Sequence, residues 1–458
     1  MCIVTAGDFL EPHPGGRRKE RQSRASYTDC LRLPRSKDRE AKRGGQTAEP
    51  VDCALSALAQ DPATLAAAKC IAAERRWIDE IQLQICRIPA ATFFEERRAE
   101  WVRSELGSLG WEARIDRAGN VVALLPGAPA GAKLVALSAH LDTVLAPQKD
   151  DDIRSDGRGR LTGPGVSDNG SGLAALFAMA RVFSQLRPFG EAGQGLLLVA
   201  NVGEEGEGNL SGMRFLCRQS NLAPRIKSFL VLDGPSTERY TAEALACRRF
   251  EIVVSGPGGH SWSDFGTANP VHALSRAIAA FTDFHAPQAV EGQTGRFAYN
   301  VGVIDGGMTV NAIPASARAK VDLRSEDPAL LEALSAGLAR AFEEAVVTEN
   351  ERAVAGRVTA KRKEAGNRPG GHLPEDSSLL SFIRAVDAEM GLHSVPDCAS
   401  TDANIPLSMG LPALSIGAGG EGGGAHTPAE WYSSEGREAG LRRILLMLGL
   451  MLTEAAAE

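Results

Sequence analysis

Apolar and polar positions follow one another along this chain in three different ways. Up to about residue 48 there is no sustained apolar periodicity, and "GGRRKERQSRAS" and "PRSKDREAKRGG" are polar, basic stretches with Gly, Pro and Ser interspersed. So little apolar surface cannot offset the entropy of ordering the chain, which predicts a disordered tail; a targeting or nucleic-acid arm is the alternative. From about residue 51 the period becomes helical, over 51–86 and again over 92–108, where Thr92 and Glu95 have capping-box spacing. "WEARIDRAGNVVALLPG" reads as two short strands about a turn. Strand and helix then alternate, with "KLVALSAH", "GLLLVANV" and "SFLVL" as strands and "GSGLAALFAMARVFSQL" and "SGMRFLCRQ" as helices. Strands apolar on both faces predict an α/β fold, a central sheet flanked by helices.

The pattern changes at about residue 247. "RRFEIVVSG", "NPVHALSRAIAAFTDF", "FAYNVGVIDGG", "SARAKVDLRS", "PALLEALSAGLARAFEEA" and "RVTAKRKEA" follow in the order β-α-β-β-α-β. That order predicts a split-βαβ, ferredoxin-like α+β unit. The α/β pattern resumes in "SLLSFIRAVDAEMGL", "PALSIGAG" and a C-terminal helix. The expected organisation is a tail over 1–48, a main domain over 49–246 and 365–458, and an inserted domain over 247–364.

Composition narrows the classes of partner. The 458 residues are 43% hydrophobic and 23% charged, ordinary for a soluble globular protein, and the net charge of -7 gives no reason to expect nucleic acid or an anionic membrane. The eight cysteines are scattered without a CxxC pair, which suits a reducing cytoplasmic setting rather than a disulfide framework. No apolar signal region opens the chain, and the longest apolar run, "ILLMLGLML", is too short to span a bilayer.

Polar clusters sit where the strands of the main domain end, the place where open α/β sheets hold ligands. "SAHLDTV" puts His140 and Asp142 two positions apart, so that a carboxylate lies beside an imidazole, either as a buried ion pair or as support for a metal ligand. "GPGVSDNGSG" presents Asp168, "NVGEEGEGN" presents Glu204 and Glu205, "LVLDGP" presents Asp233, and "GGGAHTPAEW" presents His426. Singly these read as a helix cap, a solvated loop, a turn and a surface histidine. Together they make a mixed nitrogen and oxygen set suited to zinc, or to manganese or cobalt. A single catalytic zinc takes about three protein ligands; this set is nearer the number for two ions sharing a carboxylate. The run "GAGGEGGGAH" lacks the GxxxxGK[ST] arrangement of a phosphate loop and is read as letting backbone approach the site.

These motifs, with "GPGGHSW" in the inserted segment, resemble in order the series of the co-catalytic zinc exopeptidase family. That family includes peptidase T, carboxypeptidase G, acetylornithine deacetylase and succinyl-diaminopimelate desuccinylase, and the resemblance runs over about residues 85–455. It implies a dinuclear hydrolase of amide bonds holding two Zn2+, with Co2+ or Mn2+ as substitutes. Asp168 would bridge the ions, His140, Glu205, Asp233 and His426 would complete the ligands, and Asp142 would stand behind His140. Glu204 would be the general base, taking a proton from metal-activated water and delivering it to the leaving amine. The inserted domain would be a lid and dimerisation domain of a homodimer, and its His260 would stabilise the oxyanion, often across the dimer. Arg324 in "DLR", Asn311 in "NAIP" and Asn300 in "YNVG" would contact substrate; without the resemblance, His260 reads as a surface or core histidine and Arg324 as a strand-edge arginine. "STDANIPLSMGLP" resembles a segment beside the site, and it gives Thr401 and Asp402 no role.

The expected substrate is a small peptide, cleaved in the manner of an aminopeptidase or tripeptidase, with an N-acyl amino acid amidohydrolase as the alternative. Asp rather than Glu at position 233 resembles the tripeptidase and deacetylase branches. A non-catalytic relative of the fold is a remote alternative, opposed by the presence of Glu204 and of every expected ligand. A phosphatase or nuclease using the same carboxylates is opposed by the lid histidine and by the order of the motifs.

Overall fold

The apolar runs of the main domain assemble into a nine-stranded mixed sheet. The computed structural model describes residues 50–127, 131–186, 188–189, 194–284 and 296–453, so the tail expected over 1–48 lies outside the described residues. At the centre of the sheet Lys133–His140 lies between Gln194–Asn201 and Ile226–Leu232, and Ala413–Ile416 follows on the far side of Ile226–Leu232. These four strands are mutually parallel, so their carboxyl ends share one rim. Val121–Leu124 and Arg239–Ala244 add antiparallel pairs on either side. The helices Gly170–Leu186, Glu96–Ser108 and Arg437–Thr453 pack against the sheet. Their buried Leu, Phe, Met and Val side chains form the larger core with strand residues such as Leu137, Leu198 and Leu230. Each such side chain stabilises the fold by about 1.5–3 kcal/mol relative to exposure. Arg437–Thr453 takes up the run "ILLMLGLML" as a buried helix, and no described helix is long and apolar enough to cross a membrane.

Two sequence expectations change at the start of the described chain. The helical stretch over 51–86 is three helices, Pro50–Gln60, Pro62–Ala73 and Arg75–Arg87. The first break has a local cause, since Asp61 caps the second helix through Ala63 N at 2.9 Å and Thr64 N at 3.0 Å, and Pro62 cannot continue a preceding helix. The capping box of Thr92 and Glu95 does not form, because both side chains are used elsewhere. Thr92 Oγ1 donates to Asp142 Oδ2 at 2.9 Å, Glu95 accepts from Phe93 N and Gly203 N, and the helix Glu96–Ser108 starts without a side-chain cap.

The segment between the two parts of the main sheet makes a four-stranded antiparallel sheet in the order Phe297–Gly306, Ser316–Ser325, Ala246–Ser255, Thr359–Arg368. Helices Pro270–Phe284 and Pro328–Arg352 pack on it around a second core that includes Phe250, Ile252, Leu274, Phe281, Val321 and Leu338. Burial alternates along Ser316–Ser325, with Ala317, Ala319, Val321 and Leu323 inward. Asp322 and Arg324 therefore project from the opposite face. Gly259–His260 pairs with Ala312–Ile313 in a small separate hairpin.

Candidate metal centre

Each candidate ligand stands just beyond a strand end or at a helix start. His140 is the last residue of Lys133–His140, Glu204 and Glu205 follow Gln194–Asn201, Asp233 follows Ile226–Leu232, and Asp168 lies two residues before Gly170–Leu186. His426 sits in the loop between Glu421–Gly423 and Trp431–Ser433, with a left-handed φ of 65°. A Cβ on Gly422 would come within 2.3 Å of Ser167 Oγ, so glycine there lets the His426 hairpin close on the Asp168 loop.

The carboxylate of Asp168 is the centre of the arrangement. Its Oδ1 lies 3.1 Å from His140 Nε2 and its Oδ2 lies 3.1 Å from His426 Nε2. His140 Nε2 is also 3.9 Å from Asp233 Oδ1, and His426 Nε2 is 2.9 Å from Glu205 Oε1. Two groups of possible ligands result, His140 with Asp168 and Asp233, and Asp168 with Glu205 and His426, each gathered within 4.8 Å. Glu204 joins His140 and Glu205 in a third such group.

Asp142 lies behind this set in a more specific role than a partner for His140. His140 Nδ1 is 2.9 Å from the backbone carbonyl of Asp142 and 3.6 Å from its carboxylate. The carboxylate instead accepts from Glu204 N at 2.9 Å, from Glu205 N at 2.9 Å and from Thr92 Oγ1. Burial would raise the Asp142 carboxyl, but the His140 imidazole and these amides hold it below the usual range.

Several residues that motif reading passed over complete the site. Glu430 is buried and accepts from Gly165 N, Ser167 N and Asp168 N, each at 2.8 Å, so it sets the backbone that carries Asp168. Arg368, the last residue of Thr359–Arg368, is buried and donates to Glu204 Oε1 at 2.9 Å, to the Glu204 carbonyl and to Ser400 Oγ. Asp402 is buried and accepts from Asn201 Nδ2 at 2.6 Å, and burial pushes its carboxyl up to about 7. Glu430 lies inside "GGGAHTPAEW" and Asp402 inside "STDANIPLSMGLP", but no spacing rule gives either a partner.

The remaining expected site residues stand apart from this cluster. Arg324 Nε donates to Asp322 Oδ2 at 2.6 Å; burial pulls its pKa down, Asp322 more than restores it, and the Glu204 carboxylate adds to the rise. Asn300 is exposed on Phe297–Gly306, opposite Asp322 in register. His260 is exposed on its hairpin, with Nδ1 accepting from Trp262 N and Ser263 N, and the Asn311 carbonyl accepts from Ser261 N at 3.0 Å in the same hairpin. Among the described contacts neither His260 nor Asn311 touches the cluster.

Electrostatics show what the cluster requires. Burial pushes Glu204 well above the usual carboxylate range, with Arg368 opposing, and it raises Glu205 as well. Asp168 is held well below its ordinary value despite burial, because both imidazoles bond to it. His426 is raised to about 9, chiefly by its bond to Asp168, and His140 is raised by its carboxylate neighbours against the effect of burial. So many carboxylates at one rim call for positive charge between them. Two imidazoles and three carboxylates converging around one shared Asp fit a pair of divalent ions with borderline preference.

Comparisons with known proteins bear on family and fold. The pattern of peptidase family M20/M25/M40 matches residues 136–449. A protein of Aspergillus terreus named "Probable carboxypeptidase" is 32% identical over 218 residues, 45% of this chain and 47% of that protein. The chain thus spans about half the length of the relatives it matches. The crystal structure of aminopeptidase PepT from Bacillus cereus superposes with a TM-score of 0.62 at 18% identity, covering 82% of this chain and 98% of that one. The Bacillus subtilis YXEP protein, described as a dinuclear metal binding peptidase, gives a TM-score of 0.57 at 16% identity over 83% and 99% of the two chains.

Proposed function

The chain belongs to peptidase family M20/M25/M40, and on that premise we propose that it is a dinuclear, zinc-dependent hydrolase of amide bonds in small peptides. The observation that carries this reading is the Asp168 carboxylate, one oxygen facing His140 and the other facing His426. His140, Asp168 and Asp233 would hold one ion, and Asp168, Glu205 and His426 the other. Bound there, the ions would supply Lewis acidity, lowering the pKa of a water molecule and polarising the scissile carbonyl.

Glu204 is the general base of this proposal. Burial raises its proton affinity, and Asp142 fixes its backbone amide. Arg368 grips Oε1, so Oε2 is the oxygen assigned to receive the proton and to return it to the leaving amine. Adjacent side chains diverge, which lets Glu205 reach a metal while Glu204 reaches the water.

Arg368 contacts Glu204, Arg324 is near enough for that carboxylate to raise its pKa, and both carry fixed charge that suits the free carboxylate of the substrate's C-terminus. The name of the Aspergillus terreus relative, a probable carboxypeptidase, supports recognition of that end. An N-acyl amino acid presents the same carboxylate, so an amidohydrolase is the second reading. His260 acts on the oxyanion from the partner of a homodimer; in support, the hairpin around it leaves Trp262, Phe265, Met308 and Val310 at least 86% exposed, an apolar surface typical of an interface.

Metal analysis of the purified protein tests the reading, coupled to hydrolysis of di- and tripeptides and N-acetyl amino acids with and without chelator. About two zinc ions per chain and chelator-sensitive cleavage are expected. A folded protein without bound metal and without hydrolysis would overturn it.

A further inference from the structure

One cavity is lined by close sequence neighbours of the candidate metal ligands. It has a volume of about 480 Å³ and is lined by Leu145, Ala146, Pro164 and Pro428, with Asp152, Arg154, Thr162 and Gly163 completing its wall. Three of its walls continue the loops that carry the site. Leu145 and Ala146 follow Asp142, Gly163 and Pro164 precede Asp168, and Pro428 lies two residues after His426.

The loops are locked to one another at this point. Gly163 N donates to the Glu430 carbonyl at 2.8 Å, joining the wall of Pro164 to that of Pro428. A Cβ on Gly165 would lie 2.4 Å from Thr143 Cγ2 and 3.7 Å from the Asp168 carbonyl, so Thr143 packs between the Leu145 wall and the metal loop. Ile153, Leu161 and Val166 form part of a small core of their own beside it. The cavity is therefore built on packed, hydrogen-bonded neighbours of the candidate metal centre.

Its chemistry selects the occupant. Val144 and Leu145 are 43% and 37% exposed directly after the buried Asp142 and Thr143, an apolar pair turned out of the core beside the site. Asp152 and Arg154 carry opposite charges and leave the wall with no net charge to select an ionic group. We propose that this cavity is the subsite for the side chain of the substrate residue that supplies the scissile carbonyl, and that it selects a large apolar side chain of leucine or phenylalanine size. The inference rests on the peptidase reading above, which assigns the substrate carboxylate to Arg368 and Arg324 and leaves the acyl side to the loops of Asp168 and His426, whose neighbours Pro164 and Pro428 line this space.

The test uses the full-length, metal-loaded enzyme and the dipeptides Ala-Ala, Leu-Ala and Phe-Ala, with Ala-Leu and Ala-Phe as controls for the leaving side. Leu-Ala and Phe-Ala are expected to exceed Ala-Ala by tenfold or more in kcat/KM, the order of discrimination a hydrophobic pocket achieves. Leu145→Trp should lower kcat/KM for Leu-Ala at least tenfold further than for Ala-Leu, and Leu145→Ala should shift preference towards Phe-Ala. Equal rates for the three acyl-side dipeptides, or the same loss for every substrate in both variants, would overturn the subsite alone. Absence of hydrolysis across the whole series would overturn the peptidase reading, and the subsite with it.

Discussion

The rim of the main sheet and the His260 hairpin carry residues of the same chemical kinds, but the chain holds them in opposite ways. At the rim the oxygens of Asp142 and Glu430 are taken up by named donors, and Glu430 alone accepts three backbone amides. On the hairpin, His260 is exposed and is held by local bonds within residues 260–264, among them Asp264 Oδ2 accepting His260 N at 2.7 Å. The rim is preorganised by contacts across the chain, whereas among the described residues the hairpin's contacts are local. A residue fixed by many partners is expected to fail abruptly when altered, and one fixed by few to fail by degrees.

The largest effect expected is at Glu204. Glu204→Gln should lose about a thousandfold or more in kcat while retaining metal and fold, as removal of a positioned base implies; substantial residual turnover would mean that another group takes the proton. His260→Ala should cost about a hundredfold in kcat with metal content unchanged. Mixing it with Glu204→Gln protein should restore part of the activity, and no restoration would place the histidine's action within its own chain.

A matched pair of substitutions sharpens the contrast. Glu430→Gln should weaken metal affinity by about tenfold or more, as loss of a group that orients a ligand does. Asp264→Asn, its counterpart on the hairpin, should change kcat only a few-fold and leave affinity alone. Equal effects in titrations with a metal indicator would erase the distinction between the two regions.

The smallest effect is on pH dependence. His426 is raised to about 9 in the folded, metal-free protein against about 6.5 when unfolded. The folded state therefore binds the extra proton. The stability this contributes is complete below about pH 6.5 and is lost as pH rises through about 9. Metal binding requires the neutral imidazole, so affinity should instead rise with pH over the same window. Denaturation of metal-free protein and metal titration at several pH values check the two opposite slopes.

Much of the rim could be read from one dimension, because strand ends and glycine loops mark where polar residues leave an apolar run. His140, Asp168, Glu205, Asp233 and His426 all belong to such runs, and the structure gathers them. The supporting residues could not be read in that way. Arg368 meets Glu204 across 164 positions and Glu430 meets Asp168 across 262, and no periodicity carries information over such separations. Thr92 and Glu95 depart from the capping-box expectation for the related reason that a local pattern, four residues long, loses to the distant partners Asp142 and Gly203. The order of the inserted strands was visible, but which of their faces meets the main sheet depends on contacts such as Arg249 with the Gly206 carbonyl, and these join distant segments.

The two oxygens of Asp142 each accept one of two successive amides, Glu204 N and Glu205 N. With both oxygens engaged on neighbouring amides, the carboxylate fixes the tilt of the peptide between them as well as its position. The two glutamate side chains leave that peptide in different directions, as the proposed proton acceptor and the proposed metal ligand must. Residues of identical chemistry are thereby told apart by orientation alone.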